Sequence, residues 1–155
     1  MAEQNITLTL PDGSKREYSS GVTGLEVAQS IAAGLARAAL SITVNGEDAE
    51  IAINTWDSED GKYTFWHSSA HLLAEAIQEL YPKAKFAIGP PIENGFYYDI
   101  DFGDQQVSQE DLPKIEKKVI EMARPKSEFK RKNVSKDEAL AFDKDKGHEY
   151  KVELM

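Results

Sequence analysis

The sequence predicts an α+β protein made of two small units, and three observations support this class. About the first sixty residues give the order β-β-α-β-β, with stretches of alternating apolar and polar side chains around a capped helix. Residues 55–62 are polar and contain Gly61, which marks a boundary. Helical and strand patterns then mix again towards the C-terminus. We therefore expect one helix across a sheet in residues 1–60 and a second α+β unit in 61–155.

Two hairpins should form the sheet of the first unit. Residues 6–10 alternate in polarity, and the turn residues 11–14 join them to the more polar residues 15–19. Residues 41–47 run into an Asn-Gly turn, and 49–54 alternate again as a return strand. The pattern predicts four strands.

A capped helix should lie between these hairpins. Thr23 and Glu26 have the spacing of a capping box, and Val22 and Val27 would pack as a hydrophobic staple. Gly34 suits the C-terminal end of this helix. A second short helical turn is expected over 35–40.

The second unit should contain three longer helices and several short strands. The first helix ends before Pro82, and capping patterns begin the others at Ser108 and Ser135. In chain order we expect a helix over 64–81, a strand fragment at 86–88, an aromatic strand over 95–102, a helix from 108 to about 124, a strand over 129–134, a helix from 135, and a terminal strand over 150–154.

Composition restricts the chemistry that is open to this chain. With 41% hydrophobic and 29% charged residues, the chain is typical of a globular protein. No apolar run approaches the ~20 residues that cross a bilayer, and the N-terminus lacks a secretory pattern, so we expect a cytoplasmic protein without membrane contact. Cysteine is absent, which excludes disulfides and thiolate chemistry. Any reaction must use histidine, carboxylates, lysine, tyrosine or hydroxyls.

The charge is distributed unevenly along the chain. The net charge of -9 argues against nonspecific binding to nucleic acid. Residues 113–136, however, hold nine basic and three acidic side chains. Such a segment is either a solvated helix face or a patch that steers a polyanion to one side of the protein. The residue content leaves both readings open.

The sharpest candidate site is a pair of histidines. His67 and His71 are four residues apart, so they lie on one face of the predicted helix, close enough to share a metal ion, a water or a phosphate. Such pairs also arise on helices by chance. A zinc site normally needs a third or fourth ligand, which the pair does not provide.

Two further stretches carry candidate residues. Residues 89–99 combine glycines, prolines and the neighbouring Tyr97 and Tyr98, which a strand would direct to opposite sides, one to the core and one to a pocket. Lys151 follows, in a predicted strand, where an ammonium group would meet developing negative charge or simply face outwards. His148 is expected on a surface loop. No glycine-rich phosphate-binding loop occurs.

Together these segments resemble the N-terminal part of the threonyl-tRNA synthetase family. Residues 6–14 (ITLTLPDGS) and 43–47 (TVNGE) are similar to its TGS domain, which has a β-grasp fold. The segments WHSSAHLL at 66–73, AIGPPIENGFYYDID at 87–101 and EYKV at 149–152 are similar to its editing domain. The resemblance implies a TGS domain in 1–60 and the N-terminal part of a two-layer α/β editing domain in 61–155.

The resemblance implies both a function and a site. Members attach threonine to tRNA(Thr) with ATP, and their editing domain hydrolyses mischarged seryl-tRNA(Thr). Carried over by match, His67 and Lys151 would be the catalytic residues of editing, whereas His71 and Tyr98 would line the substrate pocket. Zinc bound by His67 and His71 is a further expectation. The implied partner is the acceptor end of tRNA(Thr).

The chain also departs from the family pattern. The family's Cys-x-x-x-His element, its ATP and magnesium sites, and the zinc of the aminoacylation core do not occur in these residues. The connection at 47–49 is shorter than usual, which indicates either a deletion or omitted residues with the numbering closed up. We therefore expect a fragment that is monomeric, from an enzyme that is dimeric when intact. The alternatives are a tRNA-binding or regulatory module and a standalone trans-editing hydrolase.

Overall fold

A computed structural model describes residues 5–45, 50–127, 130 and 132–154. The chain forms two compact units, which meet in the sequence between Phe65 and Trp66. Within the described ranges, none of the helices combines the length and the apolarity that a bilayer crossing requires.

The first unit is built on a four-stranded mixed sheet. Its strands are β1 (Asn5–Thr9), β2 (Lys15–Ser19), β3 (Ser41–Asn45) and β4 (Glu50–Asn54), in the spatial order β2-β1-β4-β3. The two hairpins β1–β2 and β3–β4 are antiparallel, and β1 pairs with β4 in parallel. The predicted four strands are confirmed. The predicted Asn-Gly turn lies outside the described residues beyond Asn45.

Two helices follow the first hairpin, α1 (Gly24–Ile31) and α2 (Ala33–Ala38). The predicted capping box is confirmed, because the Thr23 side chain accepts from the Glu26 amide and Glu26 accepts from the Thr23 amide. The predicted cap at Gly34 is wrong. Ala32, in an extended conformation, ends α1, and Gly34 lies inside α2.

The apolar faces of the sheet and of α1 form the core of this unit. Leu8, Leu10, Val27 and Ile51 are each at most 6% exposed and pack together. The alternation of β1 and the helical spacing of α1 direct these side chains inwards. Val22, the other half of the predicted staple, packs against the same cluster.

The long helix α3 (Glu59–Leu80) begins earlier than the sequence suggested. We expected it to start at Thr64. Instead, the Ser58 hydroxyl accepts from the Gly61 amide at 3.1 Å, and acidic residues occupy the first turn. A side chain at Gly61 would overlap the Thr55 backbone carbonyl, so glycine permits this close start.

The second unit contains two short ladders instead of one aromatic strand. Strand β5 (Lys85–Phe86) pairs with β8 (Ile100–Asp101), and β6 (Pro91–Ile92) forms a hairpin with β7 (Gly95–Phe96). The strand predicted over 95–102 is therefore wrong. Its two ends pair with different partners, so the ladder is broken between them.

Three helices complete the second unit, α4 (Leu112–Ala123), α5 (Lys136–Asp145) and α6 (Glu149–Leu154). A single 3₁₀ turn (Gln109–Asp111) precedes α4, and Ser108 donates to Asp111 through its amide and its hydroxyl. Ser135 caps α5 as predicted. Among the described residues of this unit, a buried hydrophobic cluster is formed by Ile77, Ala84, Phe86 and Ile115.

Two strands predicted near the C-terminus are corrected. Of the strand predicted over 129–134, residues 130 and 132–134 are described and form no strand, and the others lie outside the described residues. The strand predicted over 150–154 is the helix α6. The alternation of Tyr150, Val152 and Leu154 also places Tyr150 and Leu154 one helical turn apart, and glutamate, lysine and leucine are good helix formers.

Candidate functional site

The two histidines lie side by side on α3, as their spacing predicts. The His67 and His71 rings stack, with centroids 4.9 Å apart and planes 16° from parallel. Ala70, between the two histidines in the sequence, is 1% exposed. The structure thus presents two imidazoles as one compact group.

Lys151, near the C-terminus, affects the titration of His71. The pKa of His71 lies below its ordinary value of 6.5, mainly because burial disfavours the charged ring, and further because positive charge on His67 and Lys151 opposes protonation. Glu75 acts in the opposite direction. Lys151 is half-buried on α6. The charge of the predicted catalytic lysine thus contributes to the lowered pKa of His71.

Tyr98 lies in a packed environment. Its ring meets that of Phe86 edge-on, with centroids 5.8 Å apart. A side chain at Gly89 would overlap the Tyr98 ring, so the glycine makes room for it. Burial raises the pKa of the Tyr98 phenol. That Tyr98 lines a substrate pocket stays a prediction. The neighbouring Tyr97 is 51% exposed.

A ring contact connects the histidine helix with the proline-rich hairpin. Trp66, which precedes His67, meets Phe96 of β7 at a centroid distance of 6.4 Å. This contact sets the β6–β7 hairpin next to the start of the histidine segment. Sequence reasoning missed it, because the spacing of two distant aromatic residues carries no sign of their pairing.

The described residues do not complete a zinc site. No three His, Cys, Asp or Glu side chains within the described ranges are arranged to hold a metal ion. The lone pairs of imidazole nitrogens lie in the ring planes. Those of two nearly parallel, stacked rings therefore run side by side and do not converge on one tetrahedral ion. Zinc at His67 and His71 stays a prediction.

His148 was expected on a surface loop. The loop is confirmed, because His148 lies between α5 and α6, but its side chain is mostly enclosed and not fully exposed. Its side chain is 18% exposed, and its Nδ1 lies 2.7 Å from an Asp143 carboxylate oxygen. Asp143 is on α5, and His148 directly precedes α6. The pairing depends on the turn between α5 and α6. The sequence pattern predicted that this turn would connect a helix to a strand.

The basic segment 113–136 is partly neutralised. The Lys114 ammonium lies 3.0 Å from Asp111, and Lys118 pairs with Glu79 on α3. Lys117 and Arg124 face a groove of about 360 Å³ along α4, which Glu116 and Glu121 also line. The mixed charge of this groove favours the solvated-face reading for the part on α4.

Comparison with known proteins identifies the class of protein. The chain is 52% identical over 160 residues to the threonine–tRNA ligase of Cytophaga hutchinsonii. The corresponding enzymes of Bacteroides thetaiotaomicron and Parabacteroides distasonis are 49% and 47% identical. Each match covers 97% of this chain and 25% of the relative. No family model matches the chain. These relatives are aminoacyl-tRNA synthetases.

The chain belongs to the threonine–tRNA ligase family and corresponds to the N-terminal region of its members. It spans about a quarter of the length of the relatives named. The aligned length of 160 residues exceeds the 155 residues of this chain, so the relatives contain residues without a counterpart here.

Proposed function

We propose that this chain serves as the N-terminal region of a threonine–tRNA ligase and that its second unit takes part in hydrolysing seryl-tRNA(Thr). The observation that best supports this proposal is the stacked pair of His67 and His71, with the charge of Lys151 contributing to the lowered pKa of His71. Charged and titratable groups in such proximity are typical of sites that perform acid–base chemistry. In the intact protein, ATP, magnesium and a further zinc would serve the aminoacylation core.

A separate hydrolytic site has a physical reason. Threonine and serine differ by one methyl group, which gives a binding pocket only about 1–3 kcal/mol of discrimination. Hydrolysis of the wrong ester after its formation adds a second selection step. The substrate would be the acceptor end of tRNA(Thr) that carries serine.

The chemistry follows from the side chains. Water attacks the ester carbonyl, and a proton passes from the water to a base while negative charge develops on the carbonyl oxygen. The tetrahedral intermediate then collapses, the bond between the carbonyl carbon and the ribose oxygen of the tRNA breaks, and the proton passes to that ribose oxygen as serine leaves. His67 is proposed to accept this proton or to orient the water, and the Lys151 ammonium to stabilise the oxygen. His71, beside them, would line the pocket with Tyr98.

The first unit is proposed to be the TGS domain. Two antiparallel hairpins joined through the parallel pair β1–β4, with α1 between them in sequence, are the arrangement expected of a β-grasp. This unit would support tRNA binding. The cytoplasm is the proposed location, and a dimer is proposed for the intact enzyme.

Deacylation of seryl-tRNA(Thr) by the full-length protein tests the proposal. His67→Ala and Lys151→Met should each slow serine release by about tenfold or more while aminoacylation with threonine continues. Glu153→Gln, an exposed change on the same helix as Lys151, is the control. Unchanged serine release in both variants would refute the proposed site. Hydrolysis by the 155-residue chain alone would favour the standalone hydrolase.

A further inference from the structure

The start of α6 is held by neighbouring parts of the second unit at three successive residues. These three residues, 148–150, immediately precede Lys151 in the sequence. His148 pairs with Asp143 at 2.7 Å, Glu149 with Lys85 at 2.6 Å, and the Tyr150 hydroxyl lies 3.4 Å from an Asp101 carboxylate oxygen.

The Asp143–His148 contact is the most enclosed of the three. The two side chains are 14% and 18% exposed, whereas Lys85 and Glu149 are 41% and 66% exposed. A second bond reinforces the pair, since the His148 amide donates to the Asp143 carbonyl at 2.8 Å. Enclosed hydrogen bonds of this kind restrict geometry more than exposed ion pairs do.

His148 also begins the helix that carries Lys151. Its carbonyl accepts from the Lys151 and Val152 amides at 3.0 and 3.1 Å. α6 has only six residues, so it is too short to be stable by itself. The direction of its first turn, and with it the Lys151 side chain, depends on what holds His148.

We propose that Asp143 and His148 are positioning residues, which fix the first turn of α6 and thereby the place of the Lys151 ammonium in the second unit. The hydrogen-bonded pair of Asp143 and His148, called the clasp here, connects the end of α5 to the start of α6. The Lys85–Glu149 ion pair holds the same turn against β5. The inference deepens the proposed function and rests on it for its catalytic consequence.

The kinetic test uses the full-length protein and seryl-tRNA(Thr). Asp143→Asn and His148→Ala should each lower kcat for serine release by about tenfold or more, with KM changed less than about twofold, because misplacement of a charged group by about 1 Å has effects of this size. His148→Asn places an amide donor near the former Nδ1 and should restore most of the activity. Asp145→Asn, an exposed change on the same helix, is the matched control.

A spectroscopic test separates this inference from the proposed function. In NMR spectra of protein with ¹³C-labelled histidine, the Lys151→Met variant shows how the chemical shifts of the His71 ring change when the ammonium is absent. Asp143→Asn should move those signals in the same direction, and Asp145→Asn should not. Serine release that survives Lys151→Met would refute the proposed function and leave this comparison valid.

Two results would overturn the positioning role. One is a His71 signal that is the same in Asp143→Asn as in the parent protein. The other is a lowered melting temperature with unchanged kcat in both Asp143→Asn and His148→Ala, which would show that the clasp only stabilises the fold.

Discussion

The His67 imidazole stacks on the His71 imidazole, with ring centroids 4.9 Å apart and planes 16° from parallel. A positive charge on His67 therefore opposes protonation of His71. Burial and Lys151 act on His71 in the same direction. The pair thus favours a neutral His71 near neutral pH, in a site that also contains a cationic lysine.

The titration of His71 should follow these causes. Lys151→Met and His67→Gln should each raise the pKa of His71 towards 6.5, and neither should restore it fully, because burial is the largest cause of the shift. A titration of the ring signals by NMR checks this. Glu75→Gln should lower the pKa further, and a rise in that variant would contradict the assignment of causes.

The same shift should affect stability. A histidine with a lowered folded-state pKa binds fewer protons when folded than when unfolded, so stability rises with pH through this range. Its contribution is present above pH 6.5 and is lost as the pH falls through the lowered folded-state pKa. Urea denaturation at pH 7.5 and 5.5 should show a smaller loss of stability on acidification in His71→Gln than in the parent protein. An equal loss of stability in the two proteins would argue against a lowered pKa of His71.

Asp111 should stay largely ionised at a pH at which an ordinary aspartate is protonated. Its pKa is lowered to about 2, first by the bond from the Ser108 amide and next by the Lys114 side chain. Lys114→Met should raise this pKa and still leave it below 3.8, because the Ser108 amide remains. Carboxyl ¹³C titration provides the measurement. Lys117→Met, on the same helix, should leave Asp111 unaffected.

Gly89→Ala should destabilise the second unit. The added methyl group would overlap the Tyr98 ring, and overpacking of this kind costs about 1–3 kcal/mol of unfolding free energy. Gly34→Ala is the control, since its added methyl group meets open space inside α2. That change should be neutral or stabilise by up to about 1 kcal/mol. Urea denaturation of both variants measures the two changes in the free energy of unfolding.

Ser58→Ala should test the early start of α3. Loss of the bond from the Gly61 amide should cost about 1 kcal/mol of unfolding free energy, typical of an N-cap. Ser20→Ala, in an exposed turn, should have little effect. If the two variants have the same free energy of unfolding, α3 does not depend on Ser58 for its first turn.

Local patterns predicted much of the fold. Both hairpins of the first unit and the capping boxes at Thr23 and Ser135 are found where the sequence places them. These features depend on residues a few positions apart. The helix end at Gly34 was misjudged, because a glycine in open space does not have to end a helix.

By itself, the sequence determined the family, the two hairpins and the pairing of His67 with His71 on one helix face. All three follow from residue identity and short spacing. Only the tertiary structure decided that 150–154 form a helix, that His148 is enclosed by Asp143, and that Lys151 acts on His71. The physical reason is that these outcomes depend on packing between segments far apart in the chain, and a local pattern does not encode which distant segment will lie beside it.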